Sequence, residues 1–181
     1  LRFMKELSQL VIVVCFCAFG LAQDKNAGPV IMDYGKVFAV DNPDYEVDKT
    51  KEFWVVFDIM ESPDDLSSLN KSIETAARFL NMHAQHGVPR ENMKVALVVH
   101  SKASKDLCTN QAYQQRYGVD NPNTKLITQL LDAGAAFVFC GQSSKSRDIP
   151  IEDTIEGVQL SLSAMTALIQ LQNDGYRLIK F

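Results

Sequence analysis

Three uninterrupted apolar runs constrain this chain more than any other feature: Phe53-Trp54-Val55-Val56-Phe57, Val95-Ala96-Leu97-Val98-Val99 and Ala135-Ala136-Phe137-Val138-Phe139. None alternates with polar residues, so each suits a strand buried on both faces, the pattern of a parallel sheet covered front and back. The segments between them have helical spacing. Leu66, Leu69, Ile73, Ala76, Ala77, Leu80 and Ala84 recur every three or four residues, and Ser62-Pro63-Asp64-Asp65 ahead of them reads as the cap and first turn. Gly87 and Pro89 stop this helix near His86. A strand over Lys94 to His100 is followed by a short helix within Ser104 to Gln115. Asn121-Pro122-Asn123 then opens a further helix, which ends at Gly134 before a strand from Ala135 to Cys140. Gly141 to Glu152 reads as a polar loop, Thr154 to Asn173 as a last helix, and Tyr176 to Phe181 as a closing strand. Such alternation predicts an α/β fold: a doubly wound, mostly parallel sheet flanked by helices on both faces.

The chain has 181 residues, 46% of them hydrophobic, enough for one core and short for two. Its beginning has its own logic. Arg2 and Lys5 precede an apolar stretch from Leu10 to Phe19, and Gly20 and Ala22 supply the small residues that a signal peptidase reads. Residues 1–22 are therefore expected to be a secretory signal cut after Ala22, making the mature protein periplasmic or otherwise secreted with no stable membrane insertion. Residues 23–50, mixed and rich in Asp, Pro and Lys, read as an extended arm, and 51–181 as the α/β domain. A net charge of -4 without a Lys/Arg cluster argues against nucleic acid as a partner.

Assembly is suggested by the last helix. From Gly157 to Gln172 there is no charge; Val158, Leu162, Met165 and Ile169 fall on one side, and Leu160, Ala164, Ala167, Leu168 and Leu171 on another. The sheet can cover one face. A second subunit is the economical cover for the other, with another helix of the same chain as the alternative.

Ligands of open parallel sheets gather at the carboxyl ends of the strands, where Asp58, His100 and Cys140 all stand. Asp58 is more simply a turn or cap residue than a base. His100 could pair with a thiol or shuttle a proton, or serve as a hydrogen-bonded structural residue. Cys140 is the stronger candidate, because Gly141, Gln142 and Ser143 follow it and can turn donors toward an anion such as a thiolate or persulfide; the plainer reading is a buried thiol acting as a small hydrophobe. With the signal removed, Cys108 is the only other cysteine, and it could resolve Cys140 or be incidental. Nucleophile-elbow, P-loop, dinucleotide and zinc patterns are not present, so no metal or cofactor is expected.

The series Ala77-Arg78-Phe79-Leu80-Asn81-Met82-His83, Gly87-Val88-Pro89, Lys94 to His100, Asn121-Pro122-Asn123, Cys140-Gly141-Gln142-Ser143, Leu162-Ser163-Ala164-Met165-Thr166-Ala167-Leu168 and Gly175-Tyr176 resembles the exported branch of the DsrE/DsrF-like family. The likeness runs from about Tyr45 to Phe181. It implies a DsrEFH-like fold, homo- or hetero-oligomers such as trimers or hexamers, and a strand-end cysteine that carries sulfur as a persulfide between a sulfane-sulfur donor and an acceptor thiol. Cys140 matches that cysteine. One departure is Ser101 after His100, where the family pattern would have glycine. The function implied is a sulfur carrier or sulfurtransferase-like protein using Cys140, with His100 assisting and Gly141, Gln142 and Ser143 holding the anion. The alternatives are an oligomeric small-ligand-binding module, or a thiol redox protein using Cys108 with Cys140.

Overall fold

The computed structural model describes residues 24–180, so the expected signal segment lies outside the described residues. Each of the three apolar runs is a strand: β1 (Phe53–Ile59), β2 (Met93–Val99) and β3 (Ala136–Cys140). With β4 (Gln159–Ser161) and β5 (Arg177–Ile179) they form a five-stranded, all-parallel sheet in the order β4-β3-β2-β1-β5. Helices α1 (Lys71–Gln85), α2 (Asn110–Tyr117), α3 (Thr124–Asp132), α4 (Gly141–Arg147) and α5 (Ala164–Asn173) complete the fold. The architecture is doubly wound α/β.

Side-chain alternation along the strands divides the core in two. Val55, Phe57, Val95, Leu97, Phe137 and Phe139 point to one face, where they pack against Ile73 and Leu80 of α1 and Leu126, Ile127 and Leu130 of α3. Val56, Ala96, Val98 and Cys140 point to the other, covered by Ala164 and Ala167 of α5 with Leu168 and Leu171 beside them. The chain winds outward from β1 through β2 and β3 to β4 with its helices on the first face. It then returns through α5 on the second face to reach β5 at the opposite edge.

Several elements differ from the sequence expectation. The first helix does not start at Ser62; its cap is Asn70, whose side-chain oxygen accepts from the Ser72 N–H at 2.9 Å. Ser62 instead donates to the buried carboxylate of Asp106 at 2.9 Å. Asp106 also accepts from Asn70 Nδ2 at 2.7 Å and from Asn123 Nδ2 at 3.2 Å, tying the loop after β1 to the first turns of α1 and α3. The helix expected within Ser104–Gln115 is a 3-10 turn, Ser101–Leu107, followed by α2. The segment expected as a loop from Gly141 begins as α4 without a break. The expected helix from Thr154 to Asn173 is interrupted: Gln159–Ser161 pairs with Val138–Cys140 as β4, and α5 starts only after Ser163, whose hydroxyl accepts from the Thr166 N–H at 3.0 Å.

Between residues 24 and 50 the backbone is irregular, with one isolated bridge, Asn26 to Val37. Asn81 of α1 fastens it. Its side-chain oxygen accepts from the N–H of Ile31 at 2.8 Å and of Val30 at 3.2 Å, while its amide donates to the carbonyls of Ile31 and Tyr34, both at 2.9 Å. Gly35 passes so close to α1 that a β-carbon there would lie 2.4 Å from the Ala77 backbone. Asn81→Ala leaves several buried backbone groups without partners. We expect it to cost on the order of 2–4 kcal/mol in urea unfolding and to expose the arm to protease while the domain stays folded. An unchanged unfolding midpoint would contradict this account of the arm.

Candidate functional site

Reversal of the winding direction falls between β3 and β4. The chain leaves β3 toward α4 on the first face and leaves β4 toward α5 on the second, so the carboxyl ends of these two strands are the crevice position of an open α/β sheet. Cys140 is the last residue of β3, with its side chain on the α5 side. Gly141 is needed here for space: a β-carbon on it would lie 2.5 Å from the Ser161 carbonyl oxygen. The sequence ascribes this glycine to a turn of converging donors; the structure ascribes it to close passage of β4.

The sulfur of Cys140 is contacted by donors from both helix starts. Burial raises the energy of its thiolate, but this is outweighed by the Ser143 N–H, the Ser143 hydroxyl, the Ala164 N–H and the Gln142 N–H, and the thiol ionises below its ordinary range. The first residues of a helix have N–H groups with no partner of their own, so a thiolate there satisfies them while they stabilise it. Gln142 joins the two segments again, its Nε2 donating to the Leu162 carbonyl at 3.3 Å. Cys140 is also buried, with only 5% of its surface exposed. It is the last residue of β3, packed with Val98, Ala164 and Ala167.

His100 does not touch Cys140. Its Nε2 donates to Asp58 Oδ1 at 2.7 Å, and its Nδ1 meets the Ser101 hydroxyl at 3.0 Å. The Ser101 N–H donates to Ser143 Oγ at 3.0 Å, and that hydroxyl contacts the sulfur. Histidine and cysteine are thus connected through two serines. Ser101 adopts a positive φ of 55°, the region that favours glycine, which explains why glycine suits this position. Asp58, read from sequence as a turn residue, is instead an ion-pair centre: Oδ2 accepts from Lys180 Nζ at 3.1 Å. Burial opposes its ionisation, but the bonds from His100 and Lys180 prevail and hold its carboxyl below the usual range. The missed signal was positional, because consecutive strands tend to be neighbours, and Asp58 and His100 stand at the carboxyl ends of β1 and β2, one inside and one just past its strand.

Cys108 stands apart from this cluster. It is fully buried beside α2, it is a free thiol, and burial pushes its pKa up to about 11. Among the described residues no cluster of His, Cys, Asp or Glu could hold a metal ion, and no helix is long and apolar enough to cross a membrane.

A parallel, doubly wound sheet with a donor-held thiol at the crevice defines an α/β protein built around one strand-end cysteine. The model of the DsrE/DsrF-like family matches residues 55–181, and the chain belongs to that family. Solved structures agree in fold. A protein of unknown function from Methanobacterium thermoautotrophicum, MTH1491, is 20% identical with a TM-score of 0.55, the match covering 72% of this chain and 100% of that one. The ychN protein of E. coli is 18% identical with a TM-score of 0.53, covering 71% and 99%. A search of curated proteins gives no match.

The two thiols are expected to behave oppositely toward iodoacetamide at neutral pH. Cys140 should be labelled in the folded protein and Cys108 only after denaturation. Ser143→Ala removes a donor to the thiolate, so it should raise the Cys140 pKa and slow its labelling by about three- to tenfold. Peptide mass mapping reads both, and faster labelling of Cys108 than of Cys140 would contradict the assignment.

Proposed function

We propose that this protein is a sulfur carrier or sulfurtransferase that works through a persulfide on Cys140. The observation that carries this reading is the convergence of donors from α4 and α5 on one sulfur at the crevice. Those donors favour an anion, and both the thiolate and the persulfide that succeeds it are anions. In the first half-reaction the Cys140 thiolate attacks the outer sulfur of a sulfane donor such as a persulfide, RSS⁻. A sulfur–sulfur bond forms at Cys140, the donor's sulfur–sulfur bond breaks, and the donor's inner sulfur departs with the electron pair as a thiolate that takes up a proton. In the second half-reaction an acceptor thiolate attacks the terminal sulfur and Cys140 leaves as thiolate, so no outside oxidant or reductant is required. Gln142 and Ser143 supply the stabilising donors, Gly141 permits the approach of β4, and His100 holds Ser101 and through it Ser143. Small, unbranched sulfur donors suit a sulfur that is nearly covered.

The chemistry of Cys108 argues against a two-cysteine redox device, because a thiol with a pKa near 11 supplies almost no thiolate at neutral pH. We place the protein in the exported branch, supported by the layout of residues 1–22. A second copy of the chain is the proposed cover for Leu160, Leu162, Met165 and Ile169, which are 49%, 73%, 73% and 59% exposed on β4, the link after it and α5. The proposed interface is formed by β4 and α5, and the family likeness favours a trimer or hexamer.

Mass spectrometry tests these points on one sample. Incubation with glutathione persulfide or polysulfide should add about 32 Da per sulfur to the wild type, lost on reduction and not formed by Cys140→Ser. The exported chain should begin at Gln23, and under non-denaturing conditions it should appear as an oligomer that Met165→Glu with Ile169→Glu dissociates. Equal sulfur uptake by Cys140→Ser would refute the persulfide assignment, and a monomeric wild type would refute the interface.

A further inference from the structure

A second concavity lies away from the cysteine, on the α1 face of the sheet. It exists because β5 is only three residues long and extends the sheet beyond the reach of α1, so the α1 side of Ile179 has no helix over it. The space left between β1, β5 and the flank of α1 has a volume of about 640 Å³, with Val37 of the arm at its border. That is the size of a small-molecule site and larger than packing defects in protein interiors.

Its walls sort by chemistry. Phe53, Phe57, Phe79 and Ile179 supply apolar and aromatic surface. His83 lies tilted against two of these rings, 4.8 Å from Phe53 and 4.2 Å from Phe79, with its Nδ1 bonded to the Phe79 carbonyl at 2.8 Å. The rim is cationic: Lys71, Arg78 and Lys180 line it, and the one carboxylate lining it, Asp58, is already bonded to His100 and Lys180. Lys71 pairs with Glu74 at 2.8 Å. Arg78 has no ion-pair partner at contact distance among the described residues, and it occupies the same flank of α1 as Lys71, Thr75 and Met82. Glu74 lies within the electrostatic reach of Arg78 but is bonded to Lys71, and an aromatic-walled cavity lined by a guanidinium without a contact ion pair is complementary to one kind of ligand, an apolar body ending in an anion.

We propose that this cavity is a binding site for a small amphipathic carboxylate, its apolar body among Phe53, Phe57 and Phe79 and its head group on Arg78 with Lys71 or Lys180 beside it. The site is separate from Cys140 and does not depend on the persulfide reading. The two regions share one residue, since the Asp58 carboxylate at the cavity is also the partner of His100 Nε2.

Isothermal titration calorimetry of the full mature chain with octanoate and with 1-octanol tests the proposal, because the two probes share a tail and differ in the head. Octanoate is expected to bind about tenfold or more tightly than octanol, as one charge-assisted contact warrants. Arg78→Gln should reduce octanoate affinity by a similar factor and leave octanol binding unchanged. Thr75→Phe, which fills the cavity from the flank of α1, should abolish binding of both while leaving Cys140 labelling by iodoacetamide unaltered, which shows that the variant is folded. Three results would overturn the proposal: no octanoate binding to the wild type, equal binding of acid and alcohol, or binding indifferent to Thr75→Phe. A change of oligomeric state in Thr75→Phe without octanoate binding to the wild type would assign the cavity to a second copy of the chain instead.

Discussion

Reversal of the winding direction between β3 and β4 is the constraint on which the site depends. Two neighbouring parallel strands send their chains to opposite faces of the sheet, so their exits diverge and the crevice position of an open α/β sheet falls between them. Helices begin immediately at Gly141 and shortly after at Ala164, so unpartnered N–H groups face the crevice from both sides. Cys140 fills the gap with a group that becomes an anion. The same geometry that completes the hydrogen bonding of two helix starts therefore lowers the energy of the thiolate, and stability and thiol acidity draw on a single set of contacts.

The contrast between the two cysteines shows how much of this is position and how little is residue type. Cys108 and Cys140 are both covered by protein, yet one thiol is pushed to about 11 and the other falls below its ordinary range. Burial acts on both in the same direction. The difference lies in the donors: those of Cys140 point at its sulfur, whereas Cys108 lies near the carboxylates of Asp106 and Asp153 as well as the cations of Arg116 and Lys105. Behind the site, the Asp106 hub and the Asp58–His100–Lys180 cluster fix the loops that leave β1 and β2, so Ser101 can hold the Ser143 hydroxyl that reaches the sulfur.

Much of the sheet was legible from sequence because strands buried on both faces must be apolar without interruption, and Phe53–Phe57, Val95–Val99 and Ala136–Phe139 could hardly be anything else. Position 140 was legible for the same reason, as the polarisable residue ending such a run. What stayed hidden lay at edges and caps. Gln159-Leu160-Ser161 is a short edge strand whose residues are half exposed, embedded in an uncharged stretch with helical spacing, so nothing local separated it from α5. Without that break the Ala164 N–H could not be assigned to the sulfur. Gly141-Gln142-Ser143-Ser144 has loop composition and is helical only because its surroundings hold it, with the Ser144 hydroxyl closing on the Ile149 carbonyl at 2.8 Å. The roles of Asp58 and Lys180 depend on β5 lying beside β1, a pairing between distant segments that periodicity does not encode.

The central claim is that the fold itself lets the sulfur of Cys140 ionise more readily than a free thiol. Thiolate absorbance near 240 nm, followed against pH for the wild type and Cys140→Ser, tests it without any sulfur donor. A step with a midpoint below that of a free thiol, present in the wild type and missing from the variant, is the result this account predicts. A wild-type curve that shows no such step, or keeps it after Cys140 is replaced, would contradict it.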